Sequence, residues 1–261
     1  MSDNRLGPLL GAGKEAEVYA WGDDGRRVAK LYKSGRPKQT AFREAATTAL
    51  VESRGLPCPR VWGVEPVGDR WAVIMDRAPG EVLLAAMRRE TGRREAHLSI
   101  MARLHGAIHE RRSVPLLPLR QRLVRDIRRA QALDDGQRTK LLAALAAMPE
   151  GDALCHGDFH PMNIIGPPGG EVVLDWVDAV VGDPAADVCR SYLLIRTFEP
   201  AMAEAYTSAY VATRQVDRAA IFAWLPFVAA ARLAEGVPQE EAALLALVGA
   251  AGFAAASPHG G

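Results

Sequence analysis

The chain has 261 residues, 49% of them hydrophobic and 24% charged, which at ~150 residues per domain suits one large or two small globular domains and excludes disordered, collagenous and coiled-coil chains. With 32 Lys and Arg against 31 Asp and Glu, the whole molecule carries no field of the size that gathers nucleic acid. Cys58, Cys155 and Cys189 are too few and too far apart for a disulfide framework, the start lacks an apolar core, and the apolar stretch 242–256 is too short and Ala-rich to span a bilayer; a cytoplasmic protein is expected, with no membrane partner.

The first third reads as short strands. An Asp24-Gly25 turn sits between Glu17–Ala20 and Arg27–Tyr32, a strong hairpin signal. Gln39–Ser53 then reads as a helix with Phe42, Ala45, Ala46, Ala49 and Leu50 on its apolar stripe, stopped by Gly55 and Pro57. Strands at Val61–Val64 and Trp71–Met75 follow, and Pro79-Gly80 closes a β-rich region. Beyond it Leu98, Met101, Leu104 and Ile108 mark an amphipathic helix, and Leu119–Leu133 and Gln137–Met148 form a helical hairpin about Asp134-Asp135-Gly136. A β-hairpin interrupts at residues 163–175. Helix is expected from there to Ala256, with Ser257–Gly261 as a frayed tail. The predicted class is α+β, with a small β-rich lobe at 1–77 and a larger helical lobe at 78–261 that contains the insert 119–148. Residues 86–130 hold twelve Arg against four acids, which reads as a solvated helical face or as a contact surface for an anion.

The segment Leu10–Tyr19 contains Gly11-x-Gly13-x-x-Ala16. A dinucleotide fingerprint needs a helix to open there, and here a strand follows; Pro8 and Glu15 break the Walker pattern. What remains is a glycine hairpin that a phosphate can approach closely. Val28 and Lys30 share a strand face, so an apolar floor and an ammonium point the same way. Glu44, ahead of Glu52, is the carboxylate placed to hold Lys30 extended, although a surface ion pair explains either equally simply.

The densest chemistry is His156-Gly-Asp-Phe-His-Pro-Met-Asn163, followed by Asp175-Trp176. Asn163 and Asp175 lie equally far from Gly169 in the turn Pro167–Gly170, which predicts that they face each other across the hairpin as hard oxygen ligands for Mg²⁺. Asp158, five residues before Asn163, is ionised at neutral pH by its ordinary pKa and suits a base that accepts a hydroxyl proton. Base, amide and metal carboxylate in this order match the general template for phosphoryl transfer.

These segments, with Leu104-His105, Asp175-Trp-x-Asp178 and Gly182-Asp-Pro-Ala-Ala-Asp187, make the chain resemble the aminoglycoside phosphotransferase family of kinase-like enzymes from about Leu10 to Leu194. The resemblance implies a two-lobed kinase-like fold, ATP or GTP as donor, Mg²⁺ on Asn163 and Asp175, and Asp158 as catalytic base. It places nucleotide on Gly11, Gly13, Val18, Val28, Lys30, Glu44 and Met75, with backbone groups around Asp76 and Ala78 holding the purine. His156 would brace the catalytic loop and Asp187 would anchor it; His105 reads as a buried core histidine.

The expected activity is transfer of the γ-phosphoryl group to a hydroxyl of a small molecule, an antibiotic or a metabolite. Asp175 and Asp183 stand too close for a long activation segment, which argues against a peptide acceptor. Two other readings compete: a catalytically silent nucleotide-binding scaffold, and a metal hydrolase using Cys155, His156, Asp158 and His160. Oligomeric state is not legible in the sequence.

Overall fold

A computed structural model describes residues 5–250; the expected helix end at Ala256 and the tail at Ser257–Gly261 lie outside them. The chain divides into two compact units, Met1–His97 with His160–Asp178, and Leu98–Phe159 with Ala179–Gly261.

The first unit is built on a five-stranded antiparallel sheet of order β1-β2-β3-β5-β4, from β1 (Leu6–Ala12), β2 (Ala16–Trp21), β3 (Arg27–Tyr32), β4 (Val61–Val67) and β5 (Arg70–Asp76). The Asp24-Gly25 turn joins β2 to β3 with Trp21 opposite Arg27, and Gly25 has φ +65°, a region where a side chain is strained. One sheet face packs Ala16, Val28, Tyr32, Val73 and Met75 against Ala41 and Ala45 of helix α1 (Lys38–Ser53). The other face buries Trp21, Ala29, Leu31, Ala72 and Ile74.

The buried face of α1 differs from the expected stripe. It consists of Ala41, Glu44, Ala45, Thr47, Thr48 and Val51, while Phe42 is 50% exposed against Trp71 and Ala46 and Ala49 face outward. A hydrophobicity pattern places a carboxylate at the edge of a helix face, whereas Glu44 sits at its centre because Lys30 and Tyr32 supply its partners.

Residues 160–178 join this unit through backbone pairing. The short strands β6 (Ile164–Ile165) and β7 (Val172–Val173) form the hairpin, Val82 bridges to Ile165, and Val173 N–H donates to Pro57 O at 2.8 Å. Trp176 is fully buried and its indole N–H donates to Val173 O at 3.0 Å. Between β5 and the hairpin runs α2 (Leu83–Arg89).

The second unit is helical. It holds α3 (Arg94–His109), whose first residues belong to the other unit, then α4 (Leu119–Arg129), α5 (Asp135–Ala146), α6 (Pro184–Arg196), α7 (Pro200–Arg214), α8 (Arg218–Phe222), α9 (Leu225–Leu233) and α10 (Pro238–Gly249). Leu98, Met101, Leu104 and Ile108 are buried as their spacing requires. The hairpin insert begins its second arm earlier than expected, because Asp134 and Gln137 form a capping box. Two further strands appear, one in a stretch given no element and one where helix was expected. Ala153–Cys155 pairs antiparallel with Val180–Gly182, three residues each, too short to leave an alternating pattern.

Gly80 has φ +92°, and a Cβ there would lie 3.0 Å from the backbone of Gly166. Gly80→Ala is therefore expected to lower unfolding free energy by about 1–3 kcal/mol in urea titrations, through backbone strain and loss of the close approach.

Candidate active site

Strand register puts five of the predicted nucleotide residues, Gly11, Val18, Val28, Lys30 and Met75, on one face of the sheet. Gly11 pairs with Val18, Val18 with Lys30, Lys30 with Val73 and Val28 with Met75, and cross-strand partners share a face. A Cβ added at Gly11 would meet nothing within 4 Å, so the missing side chain preserves open space there rather than a backbone shape. Gly13 N–H donates to Ala16 O at 2.8 Å and closes the turn.

Lys30 is the centre of this face. Its Nζ lies 2.7 Å from Glu44 Oε1 and 3.0 Å from Asp175 Oδ1, and the Tyr32 hydroxyl donates to the other Glu44 oxygen. Burial disfavours the charged amine, but the two carboxylates outweigh it and hold the Lys30 pKa above its ordinary value. Burial pushes the Glu44 carboxyl up, and the ammonium beside it pulls part of that back. The competing Glu52 lies 3.8 Å from exposed Arg60 instead.

The hairpin turns one step away from the predicted register. Ile164 pairs with Val173 and Leu174 N–H donates to Asn163 O at 2.8 Å, so Asn163 faces Leu174 and not Asp175. Gly170 N–H donates to Pro167 O and Gly169 has φ +85°, which makes Pro168 and Gly169 the two central residues of a four-residue turn. The pairing is thus centred between two residues rather than on Gly169. Asp175 follows β7 with φ +60°, unusual for a residue with a side chain, and in that conformation its carboxylate reaches Lys30.

At the end of β5, the N–H groups of Asp76 and Arg77 are spent on Arg60 O and Arg26 O at 2.9 and 2.8 Å. Asp76 can therefore offer an incoming base its carbonyl, and the next amide donor along the chain is Ala78. The Asp76 side chain accepts from the indole of Trp62 at 2.6 Å.

Asp158 lies in the second unit, on a loop organised by a buried carboxylate. Asp187 Oδ2 accepts from His156 N–H at 2.6 Å and Oδ1 from Gly157 N–H at 2.8 Å. Oδ2 also takes His105 Nε2 at 2.9 Å and His109 Nε2 at 3.2 Å. The far nitrogens of those rings meet the hydroxyls of Tyr206 and Tyr210. Both phenols are held protonated by burial, so each donates to Nδ1 and each Nε2 carries the proton given to Asp187. Burial alone would raise the Asp187 carboxyl; the two imidazoles overcome it and keep it well below the usual range. His109, Tyr206 and Tyr210 escaped the sequence reading. The His-x-x-x-His spacing on α3, one helical turn, was the signal available.

The metal-hydrolase set does not assemble. Burial pushes the Cys155 thiol well above its ordinary pKa, away from the thiolate a metal needs, and its Sγ lies against Ala153 O and Asp183 O. Among the described residues, the grouping with metal-ligand chemistry is His105, His109 and Asp187, and there every ligating atom already has a hydrogen-bond partner. It is a hydrogen-bonded core network.

A family model described as phosphotransferase enzyme family (APH) matches residues 8–222. The chain belongs to this family. The fold of its members recurs in a thermostable mutant of the aminoglycoside phosphotransferase APH(4)-Ia, 19% identical over 94% of this chain and 92% of that one, TM-score 0.69. It recurs in the choline kinase LicA from Streptococcus pneumoniae, 15% identical over 94% and 92%, TM-score 0.65. A third likeness is the amicoumacin kinase hAmiN in complex with AMP-PNP and Ca²⁺, 15% identical over 94% and 86%, TM-score 0.63. No curated protein matches the sequence. The α+β kinase-like class expected from the motifs is the class observed. Among the described residues no helix is long and apolar enough to cross a membrane.

Burial, with the His109 ring adding to it, pushes His105 from 6.5 down to about 3, against the pull of Asp187. The unfolded imidazole therefore binds its proton near pH 6.5 and the native one only near pH 3, so stability is full above pH 6.5 and falls as pH drops through that window. Urea unfolding between pH 7 and 4 should show a loss on the order of 1 kcal/mol per pH unit. His105→Gln should flatten that slope.

Proposed function

We propose that this family member is an ATP-dependent O-phosphotransferase that moves the γ-phosphoryl group to a hydroxyl of a small molecule, a metabolite or an antibiotic, with Asp158 as catalytic base. The observation that carries the reading is Lys30 held between Glu44 and Asp175, a charged amine fixed on an apolar sheet face beside an open glycine hairpin. Residues 1–77 would take the nucleotide, and 78–261 would carry the catalytic loop and the acceptor. ATP is the expected donor, with GTP the alternative; AMP-PNP in the amicoumacin kinase supports an adenine nucleotide.

The donor set fits Mg²⁺. The Asp175 carboxylate and the Asn163 amide oxygen are hard ligands of the kind that ion takes and would hold it together with phosphate oxygens and water. Mg²⁺–ATP, when bound, supplies the electrophilic phosphorus and the cation that screens its charge. The chain does the rest. Gly11 and Gly13 let backbone approach the phosphates, and Lys30, kept extended by Glu44, binds their oxygens. Val18, Val28 and Met75 pack against the purine, and the Asp76 carbonyl and Ala78 amide read its edge. Asp158 orients the acceptor hydroxyl and accepts its proton. Phosphoryl transfer asks for little covalent chemistry, so positioning and charge account for most of the rate.

A coupled assay of ADP release over aminoglycosides, macrolides, amino alcohols, sugars and nucleosides should find an acceptor that raises turnover. ATP bound with Mg²⁺ and never turned over by any of them would overturn the reading in favour of a silent scaffold. With that acceptor, Asp158→Asn should lower kcat by about 10² to 10⁴-fold. Nucleotide affinity should stay within about threefold, because a base acts in the transition state. Asp175→Ala should abolish the Mg²⁺ dependence of ATP binding, measured by calorimetry.

A further inference from the structure

We infer that Arg190 is a positioning residue that fixes the Gly157–Asp158 peptide and ties it to the C-terminal helices; the inference rests on Asp158 as the base.

The peptide unit joining Gly157 to Asp158 is a rigid plane, and both of its polar edges are held. Its carbonyl accepts from Arg190 Nε at 3.2 Å, and its N–H donates to His156 Nδ1 at 3.2 Å. The preceding plane is held as well, through Gly157 N–H and Asp187. Gly157 has φ +79°, so the chain turns here through a conformation that glycine alone adopts freely. Left to itself this is the most easily rotated point of the loop, and rotating the plane swings the Asp158 Cα–Cβ bond. Asp187 and His156 restrain two of the amides. Arg190 restrains the carbonyl.

Arg190 is itself fixed from the other side. Its Nη2 donates to Glu235 Oε1 at 2.7 Å, and its side chain is 12% exposed. Glu235, just past α9, takes Arg232 on its second oxygen. Arg232 in turn grips Glu240 of α10 with two parallel bonds of 2.8 Å. Burial would raise the Glu235 carboxyl, but the two guanidiniums hold it below its ordinary value. The network therefore runs from the catalytic loop through α6 to the turn between α9 and α10. A surface ion pair between helices would need none of this. Only a planar fork reaches a backbone carbonyl with Nε and a carboxylate with Nη2 at once, and a lysine has one point of charge for both.

Arg190→Lys and Arg190→Ala test this, with Mg²⁺–ATP and water as the acceptor for turnover, and amide hydrogen exchange as the readout of the loop. In Arg190→Lys, the Gly157 and Asp158 amides should exchange at least tenfold faster while those of α10 and of Ala153–Cys155 stay within twofold. ATP hydrolysis should lose tenfold or more in kcat with KM for ATP within twofold, and Glu235→Gln should fall between that variant and the wild type. Loop exchange within twofold of the wild type in either folded Arg190 variant would overturn the inference, whether or not background hydrolysis is measurable. Wild-type turnover in Asp158→Asn would sink the base instead, and the exchange pattern would still decide what Arg190 does to the loop.

Discussion

A carboxylate removed from water must be given back its donors, and each compact unit is organised round one that has been. Glu44 in the sheet unit is 1% exposed and Asp187 in the helical unit is 2% exposed. Unpaired, either would protonate or disrupt its surroundings. Glu44 draws Lys30 and Tyr32 from alternate positions on β3, which fixes the helix α1 against that strand. Asp187 draws two backbone amides and two imidazoles, which fixes the loop ahead of Asp158 to α3. The two solutions differ in what they leave charged. Glu44 keeps a cation beside it that is one-sixth exposed and available to an anion, whereas Asp187 is closed by two backbone amides and two buried imidazoles and offers nothing outward. One arrangement is suited to binding and the other to holding.

Much of this was legible from spacing. The hairpin at Asp24-Gly25, the helix after it, the two following strands and the buried positions of α3 obey local rules of turn chemistry and periodicity. The Lys30–Glu44 pair was legible too, because strand alternation and a helix one connection later leave few ways to satisfy both charges. What was lost depended on partners far away in the chain. The α1 stripe was misread because an ion pair reversed the usual meaning of a glutamate on a helix. The hairpin register slipped because a turn centred on two residues and one centred on a single glycine are not separable by counting alone. His109 and Arg190 left no functional mark, since their partners, Asp187 and Gly157, lie 78 and 33 residues away.

Part of the Arg-rich segment 86–130 follows the same rule of pairing. Arg89 and Arg93 meet Glu90, Arg112 meets Asp152, Arg122 and Arg125 meet Asp126, and Arg120 caps the carbonyls of Ala146 and Met148. These pairs and caps engage six of the twelve Arg in the segment. Exposed pairs of this kind contribute ~0–1 kcal/mol each and are screened by salt.

The left-handed backbone at Asp175 joins the two themes of charge and strain. A residue with a side chain held there gives up on the order of 1 kcal/mol or more, and the conformation survives only where its neighbours over-determine it. On one side Leu174 N–H is tied to Asn163, and on the other the Trp176 indole is buried and tied to Val173. With both flanks fixed, the chain between them must turn at Asp175, and turning there directs the carboxylate to Lys30. Glycine would relieve the strain but forfeit the charge. The aspartate at this strained position thus exchanges backbone strain for a second carboxylate on the buried Lys30 ammonium, a charge that glycine could not supply.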